Sequence, residues 1–286
     1  MRTIRTLALA ALAITPLAAL ADQHGDHAKA QADSVLAEVV AGDWRSADAK
    51  SRDVFRHPVE SLTFWGLKPG MTVLEIQPGG GWWTEILAPY AKRTGGKFYA
   101  TAADIANPEL SEGARKARES FAARYAAKPD VYGEVHLVNW GVKSAPLPAD
   151  TFDLILTARS IHGWMGTPGM VEKTFKEFHA ALKPGGILAV EQHRAKAGGP
   201  DSPKDGYVTE ATVIELAEKA GLKLDAKSEI NANPKDTRDH PFGVWTLPPN
   251  LRSTAYGSDK TDPAFDHSKY VAIGESDRMT LRFVKP

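Results

Sequence analysis

The chain contains no cysteine. This excludes disulfides, thiolate nucleophiles and cysteine-held metal, so a packed core must supply all of the stability. Net charge is also missing, because 35 Lys and Arg balance 35 Asp and Glu. A neutral surface exerts no general pull on nucleic acid or anionic lipid, and no nucleic-acid partner is expected. Beyond the first 21 residues no apolar run approaches a bilayer-spanning length, and no internal repeat is evident.

The N-terminus reads as a secretory leader. Arg2 and Arg5 precede an Ala- and Leu-rich run broken by Pro16, and Ala19-Leu20-Ala21 supplies small residues for cleavage. Removal of residues 1–21 leaves 286 − 21 = 265 residues with a formal charge of −2, enough for one well-buried domain in the periplasm or outside the cell and not on a membrane. Residues 22–33 are polar and read as a flexible segment. His24 would stand third from the new amine, an arrangement that can wrap Cu(II) or Ni(II), but chance is the better explanation and no metal is expected. Residues 34–286 are expected to form the single domain.

Within that domain strands and helices alternate, which predicts an α/β fold with a mostly parallel sheet and helices on both faces. Expected strands start at residue 73 and cover 97–101, 135–138, 187–193, 222–230 and 280–284, with F-D-L-I as the fourth in order. Expected helices cover 34–40, 83–90, 109–127 and 209–220. Thr167-Pro168 reads as the N-cap and first residue of another, running to Leu182. Some forty residues, 231–276, stand before the last strand, where a hairpin needs about 2 to 5. Long connections of this kind tend to be lids or binding loops, and Trp245, Tyr256 and Tyr270 are candidate pocket walls.

The organising stretch is V-L-E-I-Q-P-G-G-G-W-W-T, from Val73 to Thr84: an apolar strand, a glycine turn and a helix start. Glycine serves where backbone must approach a ligand, and the following helix offers unpaired N–H groups. The stretch resembles motif I of the class I S-adenosylmethionine (SAM) methyltransferases. Glu75, Gly79 and Gly81 match the acid and the second and third glycines, whereas Gln77 stands at the first. F-D-L-I-L-T-A-R-S-I-H-G-W-M resembles the family's fourth strand and L-K-P-G-G its approach to the fifth. R-D-V-F-R-H-P, from Arg52 to Pro58, resembles a segment before motif I in a bacterial branch of predicted exported methyltransferases.

The resemblance implies a Rossmann-like sheet of seven strands with an antiparallel last strand, SAM as cofactor and a small-molecule substrate. It implies that Glu75, Pro78, Gly79, Gly80, Gly81 and Trp82 hold the cofactor, with Asn139 and Trp140 at its adenine. The acid that would bind ribose after the second strand is absent, since the strand ends A-T-A-A-D with Asp104 beyond the expected place. His162, past the end of the fourth strand, is the candidate general base. Arg56, His57 and Arg278 are further candidates for the site, and His193 is a second imidazole at the mouth. Two readings stand: a SAM-dependent methyltransferase, or an exported relative that lost SAM and uses the crevice for another ligand or a lyase or hydrolase reaction.

Overall fold

Each long apolar run becomes a strand covered on both faces, the environment in which a parallel strand reads as continuously hydrophobic. The computed structural model describes residues 34–255, 258 and 260–286. The expected leader, the polar stretch 22–33 with His24, and Tyr256 lie outside the described residues. The strands are β1 (Thr72–Ile76), β2 (Lys97–Ala103), β3 (Val135–Trp140), β4 (Phe152–Ala158), β5 (Leu182–His193), β6 (Lys223–Ser228) and β7 (Arg278–Val284). They form one sheet in the order β3-β2-β1-β4-β5-β7-β6. The first five strands run parallel, and β7 runs antiparallel to both β5 and β6. The fold is the expected Rossmann-like one.

Alternation along the strands builds two cores. Leu74, Ile76 and Ile155 face Phe175, Phe178 and Val213 on the helices Met170–Ala181 and Glu210–Lys219. Val73, Leu154 and Leu156 face the helix Thr84–Thr94, Tyr125 of the helix Glu112–Ala126, and Leu62 of Pro58–Phe64. The expected helix over 34–40 is present and adds Leu36 and Val39 to this second core.

Several boundaries differ from the sequence expectation for identifiable reasons. β2 and β3 each run two residues further, because Ala102 pairs with Asn139 and Ala103 with Trp140. That pairing extends the strands past the polar residues that suggested an end. A short helix, Ile161–Met165, follows β4, and the longer one before β5 starts at Met170 with Gly169 at φ 73° before it, so Thr167 and Pro168 belong to the turn between them and do not cap it. L-K-P-G-G is drawn into β5, with a register shift opposite Phe152 and Leu154. A Cβ on Gly186 would lie 2.8 Å from the Lys183 carbonyl oxygen, so this bend requires glycine.

The long segment between β6 and β7 is tied down by polar contacts. Asp236 accepts hydrogen bonds from the Tyr207 hydroxyl (3.0 Å) and from the Asp277 amide (2.8 Å), and lies 2.8 Å from His240 Nε2. Asp277 in turn pairs with Arg194 and Arg238. Its start is fixed by Asn231, which donates to Ser61 and Thr280 at 3.0 Å. A short helix, Ser268–Ile273, and a 3-10 turn, Gly243–Thr246, interrupt the expected loop.

Candidate active site

A cavity of about 850 Å³ opens at the carboxyl ends of β1, β4 and β5, where open α/β sheets collect ligands. Five parts of the chain wall it: the arm with Arg52 and Arg56, the glycine turn with the helix start behind it, Arg124 of the helix Glu112–Ala126, the ends of β4 and β5, and the long segment with Trp245 and Asn250.

The glycine turn presents two open residues and one packed one. A Cβ on Gly80 would meet nothing within 4 Å, and one on Gly79 would touch only the Gln77 carbonyl at 4.0 Å. The N–H groups of both find no acceptor among the described residues. Gly81 does not line the cavity; at φ 84° its Cβ would fall 1.8 Å from the Tyr125 hydroxyl, so it is small for packing. Gln77, standing at the family's first glycine, keeps the left-handed backbone with φ 48°. Its amide donates to Thr101 Oγ1 (2.8 Å) and its side-chain oxygen accepts from Trp164 Nε1 (2.8 Å), contacts that offset the strain.

Glu75 lies behind the turn and does not reach the cavity. Thr84 donates a 2.5 Å hydrogen bond to it. Burial pushes its carboxyl up to about 8, against the opposing pull of Thr84 and Arg159, so the group is mostly neutral at pH 7. Trp82 lines the wall, donates to the Ala49 carbonyl (2.9 Å) and carries the Arg56 guanidinium 4.7 Å above its ring.

The inner end is ionic. Arg159, the residue after β4, has φ 58°, a conformation costly for an arginine and found mostly where a site demands it. Its Nη1 donates to Glu191 Oε1 at 2.9 Å. Arg278 bridges the same Glu191 oxygen (3.0 Å) and Glu275 (2.7 Å). Glu275 also receives Arg52 (2.8 Å) and Arg56 (2.9 Å). Four guanidinium groups thus share two carboxylates. Glu191 Oε2 and Arg278 Nε are buried without a partner.

Two imidazoles flank Arg159. Gln192 fixes one: its Oε1 accepts from the Ile161 amide (3.2 Å) and its Nε2 donates to the Gly206 carbonyl (2.9 Å). With the amide so oriented, its remaining N–H points at His162 Nδ1, 3.2 Å away. Nδ1 is then an acceptor, and Nε2 carries the proton of the neutral ring. Burial lowers the His162 pKa, and the nearby Arg159 charge lowers it further. His162 therefore offers the cavity a donor where the sequence suggested a base. His193 Nδ1 lies 2.5 Å from the Ser276 hydroxyl, and burial, helped by His162, Arg159 and Arg278, holds it neutral.

The other expected residues separate. Arg56 reaches the cavity, whereas His57 faces Asn231 Oδ1 (3.2 Å) and Arg278 stays behind the wall in its ion pairs. Asn139 and Trp140 stand outside. Asn139 accepts from Arg118 Nη1 (2.6 Å), which also donates to the Ala103 carbonyl (2.7 Å), and Trp140 packs in the core against Trp164. Asp104 caps its own turn through the Ala106 amide (2.9 Å). Tyr270 packs against Phe265 and does not line the cavity. Sequence reasoning missed Arg159 and Ser276. The available signal for Arg159 was an ionised residue immediately after a central parallel strand.

The residues fit SAM in one part. The open N–H groups of Gly79 and Gly80 and the room above them suit its amino-acid portion. On the nucleoside side, Arg118 bridges the ends of β2 and β3, and the ribose acid is absent. The obstacle is the far end of one flexible, half-buried side chain.

Among the described residues no group of three His, Asp or Glu could hold a metal ion, and no helix is long and apolar enough to cross a membrane. Nothing among curated proteins matches the chain. Solved structures similar to it include a SAM-dependent methyltransferase from Aquifex aeolicus, 25% identical over 63% of this chain and 87% of that one, with a TM-score of 0.46. Another, from Mesorhizobium loti, is 18% identical over 79% and 96% of the two chains, TM-score 0.45. A third is the 1,6-didemethyltoxoflavin-N1-methyltransferase of Burkholderia thailandensis, 15% identical over 97% and 93%, TM-score 0.46. Residues 74–190, from β1 into β5, match the family model described as a methyltransferase domain, and the fold that carries the cavity is the class I methyltransferase fold.

Proposed function

We propose that the protein is a SAM-dependent methyltransferase acting on a small molecule in this cavity. The observation that carries the reading is the glycine turn. Inside the segment that matches the methyltransferase domain, Gly79 and Gly80 line the cavity with open space at their Cα atoms and N–H groups that have no acceptor among the described residues. When bound, SAM supplies an electrophilic methyl group on a sulfonium. What remains for the chain is to bind, align and exclude water, since methyl transfer is an in-line displacement governed by placement. Gly79 and Gly80 would hold the cofactor's amino-acid portion, Trp245 and Pro248 would shield the reacting atoms, and His162 would orient the substrate by donating from Nε2.

A second reading has its own observation. The missing ribose acid and the Arg118 bridge favour a relative that uses the same cavity without SAM. Calorimetry with S-adenosylhomocysteine separates the two. Micromolar binding that is lost in Gly80→Asp supports the methyltransferase. Silence at millimolar ligand removes it. The export expected from the leader is tested by fractionating cells for the processed chain.

A further inference from the structure

The charges at the inner end do not cancel. Arg52, Arg56, Arg159 and Arg278 bring four positive charges to the two carboxylates of Glu191 and Glu275. Around Arg159, Glu75 is mostly neutral at pH 7 and both imidazoles are neutral; the other carboxylates lining the cavity are Glu85, paired with Arg124, and Asp48 of the arm. A surplus of two positive charges inside a partly desolvated pocket is costly unless a counter-charge arrives.

Arg52 and Arg159 are the members with capacity to spare: Arg52 uses Nε on Glu275 and keeps 26% of its side chain open on the arm, and Arg159 is the one that stands with His162. Arg278 is 1% exposed and engaged with two carboxylates, and Arg56 is 2% exposed and stacked on Trp82. Arg159 uses one nitrogen on Glu191, keeps 20% of its side chain open and lines the cavity. Its Nε and Nη2 have no protein acceptor among the described residues. A guanidinium offers a planar fork of donors that matches a carboxylate or phosphoryl group. Beside it, His162 presents a donor from Nε2, because Gln192 occupies Nδ1. The left-handed backbone of Arg159, φ 58°, stands immediately after β4.

We infer that the inner end of the cavity is an oxyanion subsite, in which Arg159 with His162 receives a carboxylate or phosphoryl group carried by the substrate. The word substrate rests on the methyltransferase reading, whereas the subsite itself does not. Trp245, whose ring lies 5.8 Å from that of His162, would cover the less polar remainder of the molecule.

The test titrates malonate and inorganic phosphate, at constant ionic strength, into the full chain and its Arg159 variants. In parallel, S-adenosylhomocysteine is titrated into each. The wild type is expected to bind one of the two anions with one-to-one stoichiometry, and which one distinguishes carboxylate from phosphoryl recognition. Arg159→Gln should weaken that anion about ten-fold or more, Arg159→Lys less, while S-adenosylhomocysteine affinity stays within about three-fold. Failure of both anions at millimolar concentration overturns the proposal, and so does equal binding by Arg159→Gln. Parallel loss of S-adenosylhomocysteine also overturns it, since Arg159 would then hold the cofactor's own carboxylate. Anion binding as expected without any S-adenosylhomocysteine binding to the wild type supports the subsite and sinks the methyltransferase reading. Should Arg159→Gln not fold by circular dichroism, His162→Leu must lose anion affinity that His162→Gln keeps; equal affinities would overturn the inference.

Discussion

The two halves of the mouth are built by different physics. On the side of β4, β5 and β7, ionised groups are held in a network and face an open cavity. On the side of β2 and β3, the ends are closed by packing and by one arginine: Gly81 against Tyr125, Trp140 against Trp164, Arg118 across Ala103 and Asn139. The same fold edge thus carries a site prepared for charge beside one that must rearrange to admit a nucleoside. The contrast teaches that a matching motif fixes where a ligand can lie, while the side chains after each strand decide what it can be.

The comparison breaks most readily at Glu275. Glu275→Gln leaves Arg52, Arg56 and Arg278 short of a buried counter-charge, and a loss of about 3–5 kcal/mol is expected in urea unfolding. A loss under 1 kcal/mol, roughly that of an exposed pair, would mean that the open half is not held by charge.

Steric closure of the other half is tested at Gly81. Gly81→Ala forces a left-handed alanine into the Tyr125 hydroxyl and should cost on the order of 3 kcal/mol. Gly80→Ala meets nothing within 4 Å. Its stability should therefore stay within about 0.5 kcal/mol of wild type while ligand binding falls. If the two variants behave alike in both measurements, the turn is not divided into a packed and an open part.

Glu75, behind both halves, gives a pH signature. Its folded pKa of about 8 exceeds the unfolded value of 4.5, so the folded state holds a proton that the unfolded state has released. Its contribution to stability is therefore present below pH 4.5 and is lost as pH rises toward 8. The stability of Glu75→Gln relative to wild type should climb through that window and then level off. A flat difference across the window would place an ionised carboxylate there.

The smallest effect is expected at Arg118. Arg118→Ala removes two hydrogen bonds of a half-buried side chain, so stability should change by no more than about 1 kcal/mol. By clearing the ends of β2 and β3 it should tighten S-adenosylhomocysteine several-fold. Weaker binding would show that the nucleoside uses Arg118 as a partner and does not displace it.

Much of this architecture was legible beforehand. The apolar runs, the glycine turn and the strand–helix alternation announced the parallel sheet, because burial on two faces and tight turns leave marks in local composition. Helix 34–40 was equally readable. Thr167-Pro168 misled, since a good capping pair is only a local preference and the chain placed Gly169 there in its stead. His162 was legible as a residue at the mouth, but not its proton: that depends on Gln192, oriented by the Ile161 and Gly206 backbones. Asn139 and Trp140 were assigned to a ligand by position along β3, and the fold turned one toward Arg118 and the other into the core.

The sequence by itself determined the order of elements, the absence of thiol chemistry and the location of the backbone turn, because each follows from local composition and chain geometry. Only the tertiary structure decided the character of the cavity. Arg52, Arg56, Arg159, Glu191, Glu275 and Arg278 are dispersed over more than two hundred residues, and their charges acquire meaning only when folding brings them within hydrogen-bonding distance in a medium that screens them poorly.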